Sequence, residues 1–170
     1  MKHLIFLIVC AVILIAPVEA SAPNAPEFFS EATPETPAPQ IENLLVEYVR
    51  QNCIGKPYSS ADRLGPDSFD CSGLVWYCCS GTGINMSDGN TDSQLSYGEA
   101  VSLSELIPGD IVFFDYDNDG TTDHAAIYSG DGNIIHATTH GVRETPLDSP
   151  SGVYERQTFL DAACTARRLK

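Results

Sequence analysis

The sequence predicts an α+β domain in which N-terminal helices pack on a central antiparallel β-sheet. Two observations carry this. Apolar residues recur at helical spacing around Leu44, Leu45, Tyr48 and Val49, and again around Leu74, Val75 and Cys78. From Ile111 onward the pattern changes to short apolar runs separated by Gly, Asp and Asn clusters, as strands joined by turns require. Helices first and strands afterwards is the order of an α+β domain rather than of alternating βα units.

Taken in order, the first helix is expected from Ile41 to Cys53, ended by Ile54-Gly55. A second runs from Cys71 to Ser80 with Leu74, Val75 and Cys78 facing inward and Gly81 stopping it. Leu103 to Leu106 reads as a short helical turn before the turn signal Pro108-Gly109. Strands follow at Ile111 to Phe114, His124 to Tyr128, Ile134 to Thr138 and Ala163 to Leu169. There is no internal repeat.

Lys2, the apolar run from Leu4 to Val18, and the small-residue sites ending at Ala20 and Ala22 form a secretory signal pattern over residues 1–22. The run is shorter than the ~18 to 20 apolar residues of a membrane span. The mature protein is therefore expected to be secreted and free of the membrane. Residues 23–40 are rich in proline and acid and lack periodicity, so they read as an extended linker or a removable pro-segment. Residues 41–170 then form one domain, since about 130 residues bury one core and are too few for two. A monomer is expected.

With 23 acidic and 9 basic residues the net charge is -14. Phosphate binding draws on clustered Lys and Arg, so this balance argues against a nucleic-acid partner. Of six cysteines, Cys10 leaves with the signal, and Cys53, Cys71, Cys78, Cys79 and Cys164 remain. An odd number leaves one thiol over; the other four either form disulfides, in one of three pairings if all are paired, or pack as small hydrophobes.

Cys71 is the unusual cysteine. Asp70, Ser72 and Gly73 crowd it with polar groups where a core cysteine has apolar neighbours. With Asp70 as N-cap, its sulfur lies at the positive end of a helix, a position expected to lower the thiol pKa and favour the nucleophilic thiolate. His124 and His136 flank the apparent hairpin Y-S-G-D-G-N-I. If Tyr128 pairs with Ile134, the two histidines become diagonal neighbours on one face, so one can serve Cys71 while the other orients it.

The segments G-K-P-Y (Gly55 to Tyr58), F-D-C-S-G-L-V (Phe69 to Val75), L-I-P-G-D-I-V-F-F (Leu106 to Phe114), D-H-A-A-I-Y (Asp123 to Tyr128), I-I-H-A (Ile134 to Ala137) and A-R-R (Ala166 to Arg168) resemble, in this order, the NlpC/p60 family of cell-wall cysteine peptidases. The resemblance implies a papain-like α+β fold that hydrolyses peptidoglycan stem peptides at the bond between D-glutamate and the diamino acid. It also implies Cys71 as nucleophile, His124 as base and His136 as the third member of the triad. On the same pattern Tyr58 helps hold the reacting carbonyl oxygen, and Asp70 and Ser72 hold the substrate's free amino group. The chain departs from the family where S-S-A-D-R-L-G follows Pro57-Tyr58 in place of a Gly-Gly, and where Ala125-Ala126 follows the base.

The chemistry needs no metal or cofactor: imidazole takes the thiol proton, sulfur attacks an amide carbonyl, and water releases the acyl-enzyme. The same triad also runs an N-acetylmuramoyl-L-alanine amidase reaction. A catalytically silent wall-binding domain is the alternative from another class, disfavoured by the intact Cys71, His124 and His136. One further run, D-Y-D-N-D-G-T-T-D, places Asp115, Asp117, Asp119 and Asp123 at the opening spacing of an EF-hand loop. Its twelfth position is Ala126 instead of the bidentate Glu, and the run reads equally as a polar turn. These four residues are the candidates for a structural calcium ion.

Overall fold

The computed structural model describes residues 41–170; the expected signal and the Pro- and acid-rich segment lie outside the described residues. Helix α1 (Ile41–Asn52) buries Leu45, Val46 and Val49, while Leu44 stays exposed. Helix α2 (Cys71–Gly81) buries Leu74, Val75, Cys78 and Cys79. Gly81 is the last residue of α2, but the left-handed turn falls two residues later at Gly83 (φ +80°). Gly81 answers a different demand, because a Cβ there would lie 2.1 Å from the Tyr48 ring of α1.

A short helix α3 (Thr91–Gln94), a strand β1 (Glu99–Val101) and a 3₁₀ turn (Leu103–Glu105) precede the main sheet. Its strands are β2 (Ile111–Phe114), β3 (His124–Gly130), β4 (Asn133–Thr138), β5 (Gly141–Pro146) and β6 (Ala163–Arg168), with α4 (Phe159–Ala162) leading into the last. The six strands lie in the order β1-β6-β2-β3-β4-β5, every neighbouring pair antiparallel. All four residues of β2 are buried, as a continuous apolar run in a central strand demands. In the β3–β4 hairpin Tyr128 pairs with Ile134, the expected register, and a bulge at Ser129 leads into a turn with positive φ at Asp131 and Gly132.

Strand alternation divides the core between the two faces of the sheet. Ile111, Phe113, Ala125, Ile127, Ile135 and Ala137 pack with α1 and α2. Val112, Phe114, Ala126 and Ile134 pack on the other side with Leu147, Phe159, Ala162 and Ala166. Among the described residues all five cysteines are free thiols, and the Cys53 and Cys78 sulfurs meet at 3.8 Å between α1 and α2. Cys71, at the first turn of α2, is thereby brought to the end of the sheet where β3 begins.

Candidate active site

Asp70 caps α2 in extended backbone conformation, and its Oδ1 accepts the Gly73 N–H at 2.6 Å. The sequence pointed to this cap but not to its partner, Arg63. The Arg63 guanidinium donates from Nε to Asp70 Oδ2 at 2.7 Å and from Nη2 to Ser72 Oγ at 2.8 Å. It also reaches the carbonyls of Asp88 and Gly89 at 2.7 and 3.1 Å. A Cβ on Gly73 would stand 1.9 Å from the Arg63 carbonyl oxygen, so the segment carrying Arg63 lies directly on the first turn of α2. Where the resemblance implied a substrate ammonium on Asp70 and Ser72, the structure has a resident cation. The signal for it was the departure S-S-A-D-R-L-G itself.

His124 opens β3 and His136 lies on β4, with His124 Nε2 and His136 Nδ1 2.9 Å apart. Phe159 meets the His136 ring edge to face at 4.8 Å, and Phe114 lies 5.6 Å from His124, so both imidazoles are held by packing. His136 Nε2 in turn lies 3.1 Å from Thr145 Oγ1 on β5, a residue that no sequence pattern singled out. These contacts select one tautomer series for a base. For His124 to accept a proton at Nδ1 it must carry hydrogen on Nε2 and donate to His136 Nδ1; His136 then carries hydrogen on Nε2 and donates to Thr145. Thr145→Val is expected to lower kcat about threefold to tenfold, the value of one neutral hydrogen bond, with Thr145→Ser restoring it. Steady-state kinetics of the two variants checks this.

The backbone N–H groups of Ala125, the residue after His124, and of Ser72 and Cys71 itself favour the Cys71 thiolate. Burial nevertheless dominates and pushes the thiol above its ordinary range, with the Asp70 charge acting in the same direction. The expectation of a lowered thiol pKa is thus corrected: the helix start is there, but desolvation and the capping carboxylate outweigh it. Burial, and then the His136 neighbour, lowers His124 to about 3. Burial, and then the charge of Arg143, lowers His136 to about 4. These directions favour a thiol and a neutral imidazole at neutral pH. Alkylation of Cys71 by iodoacetamide, located by peptide mass spectrometry, is expected to be slow near pH 7 and to climb through and beyond the ordinary thiol range of ~8.5. A rate plateau from about pH 4 to 7 would instead show a resident thiolate.

A cleft of about 720 Å³ runs past the histidines, lined by Tyr58, Tyr116, His124, His136, Arg143 and Thr145 among others. Burial, and then the charge of Cys71, raises the hydroxyls of both Tyr58 and Tyr116. Tyr58 is partly exposed. Tyr116 was not anticipated. His140 also lies along this cleft.

In the acidic loop, ligand atoms of Asp115, Asp117 and Asp123 lie within 4.8 Å of one another, and Asp119, whose carboxylate accepts the Thr121 N–H at 2.7 Å, stands outside the group. Asp115 accepts the Asp119 and Gly120 amides, and Asp123 that of Tyr116. The entry to His124 is fastened from α3: Asp92 accepts the Thr122 N–H and hydroxyl at 3.0 and 2.7 Å, and the Thr91 hydroxyl donates to the Thr122 carbonyl at 2.6 Å.

The model of the NlpC/P60 family matches residues 55–162. A curated relative from Mycobacterium tuberculosis named "Probable endopeptidase Rv2190c" is 37% identical over 109 residues, 62% of this chain and 26% of the relative. The chain thus spans about a quarter of that relative's length. Among solved structures, an NlpC/P60 family protein from Bacillus cereus superposes with a TM-score of 0.65 at 30% identity, covering 75% of this chain and 39% of the other. The NlpC/p60 domain of the peptidoglycan hydrolase SagA gives 0.60 at 26% identity, covering 75% of this chain and 98% of that one.

Proposed function

Because the chain belongs to the NlpC/P60 family, we propose that it is an exported peptidoglycan hydrolase, a cysteine endopeptidase that cuts stem peptides between D-glutamate and the diamino acid. The observation that carries this is the relay His124, His136, Thr145, in which the far nitrogen of His124 is already bonded, together with the Cys71 thiol influenced by the amide of Ala125, the residue that follows His124. The relatives' names, endopeptidase and peptidoglycan hydrolase, support the substrate class.

In this reading His124 Nδ1 takes the Cys71 proton as sulfur attacks the carbonyl carbon. The Cys71 backbone N–H and the Tyr58 hydroxyl receive the oxygen as it becomes an oxyanion. The imidazolium then protonates the departing amine, and a water activated by the same histidine hydrolyses the thioester. No step uses a metal, so activity is expected to survive chelation by EDTA.

A second reading, the N-acetylmuramoyl-L-alanine amidase, draws support from Arg63. A carboxylate already paired with a guanidinium discriminates less for a substrate's free ammonium than an unpaired one. Digestion of purified muropeptides by the protein and by its Cys71→Ala variant, with products identified by mass spectrometry, separates the readings. Fragments split after D-glutamate mark the endopeptidase, and intact stem peptides freed from sugar mark the amidase. No Cys71-dependent product from any muropeptide would overturn both and leave a binding domain.

A further inference from the structure

Arg143 stands directly across from His136 in the β4–β5 pairing, so the two side chains share one face of the sheet. Thr145, two residues along β5, shares that face and orients His136. Arg143 is exposed and lines the cleft that holds both histidines. Its charge is felt at His136, where it adds to the effect of burial. Among the described residues it has neither a carboxylate partner nor a hydrogen-bond acceptor. The acid next to it, Glu144, is engaged elsewhere, accepting from Arg50 at 2.7 Å and from Ser129 at 2.6 Å. In a chain of net charge -14 this is an uncompensated cation beside the triad.

The chemistry says which part of a substrate reaches it. The departing amine takes its proton from His124, so the residue bearing that amine lies on the imidazole side of the scissile bond. The cleft with Arg143 is on that side. An unpaired guanidinium there is built to receive a carboxylate, through paired N–H donors.

We propose that Arg143 binds a free side-chain carboxylate on the residue that departs with the amine, so that the enzyme selects a diamino acid carrying such a group over its amidated form. This rests on the peptidoglycan reading above and adds the substrate subclass to it. A lysine at the same substrate position, which has an ammonium and no carboxylate, is disfavoured by the same cation.

The test uses two synthetic tetrapeptides, alanyl-γ-D-glutamyl-diaminopimelyl-D-alanine with the side-chain carboxyl free or amidated. The C-terminal alanine occupies the other carboxyl in both. The protein is expected to cleave the free form with kcat/KM about tenfold to a hundredfold higher, the range of a charge-assisted hydrogen bond, mainly through KM. Arg143→Gln brings the two peptides together, and Arg143→Lys keeps part of the difference. Equal kcat/KM for the wild-type protein, or a preference that survives Arg143→Gln, overturns the proposal. Calorimetric binding to the Cys71→Ala variant separates the two levels. Tighter binding of the free form without cleavage by the wild-type protein supports the carboxylate site and removes the peptidase reading; equal binding of both forms removes the site.

Discussion

His124→Ala is expected to lower kcat on a muropeptide by about 10²- to 10⁴-fold, the range supplied by a positioned general acid–base, with KM changing far less. In the proposed mechanism two roles are lost at once, since the same ring would take the thiol proton and return it to the amine. The buried ring also packs on Phe114 and Phe159, so alanine leaves a void, and His124→Gln serves as the companion variant of closer volume. Both should keep the wild-type circular dichroism spectrum and both should be inactive. Turnover within tenfold of wild type in either folded variant would remove His124 from the chemistry. Cys71→Ala is expected to be silent for a plainer reason, the loss of the atom that bonds to substrate.

Asp110→Ala is expected to destabilise the fold by about 3 to 5 kcal/mol, the cost of removing one partner from a buried ion pair. The Asp110 side chain is fully buried and accepts both Nε and Nη2 of Arg168, at 2.9 and 2.8 Å. It also accepts the Ile107 N–H at 2.9 Å. Asp110→Asn keeps an acceptor for Ile107 and should lose less. Urea denaturation of the three proteins checks the order, and a midpoint for Asp110→Ala equal to wild type would show that the pair contributes nothing. The motifs P-G-D-I-V and A-R-R are thus two halves of one structural contact, and the reason lies in the pairing of β2 with β6.

What could be read beforehand depended on periodicity and on local turn chemistry. The run Ile111 to Phe114 is wholly apolar, and Asp131-Gly132 is a hairpin turn between two apolar runs, so β2, β3 and β4 were legible, and of their registers the one between β3 and β4. Strand β5 was not, because G-V-R-E-T-P offers one buried aliphatic and ends in proline; only its pairing with β4 makes it a strand. Thr145 and Arg143 were hidden with it. Arg63 was hidden for a different reason. It lies in an irregular stretch whose path is dictated by contact with the first turn of α2, which no local pattern encodes. The polar setting of Cys71 announced a site, yet its protonation depends on burial by residues distant in the chain, and there the local reading had the wrong sign.

The sheet order β1-β6-β2 sets a schedule on the folding of the domain. Strand β2 has a partner on one side as soon as β3 follows it, but the other side stays open until residues 163–168 have been made and slotted in beside β1. A ribosome-bound chain holding Cys71, His124 and His136 therefore still presents an unpaired edge along its central strand, the kind of edge that invites pairing with another chain. Productive folding of the sheet has to wait for its last strand, residues 163–168.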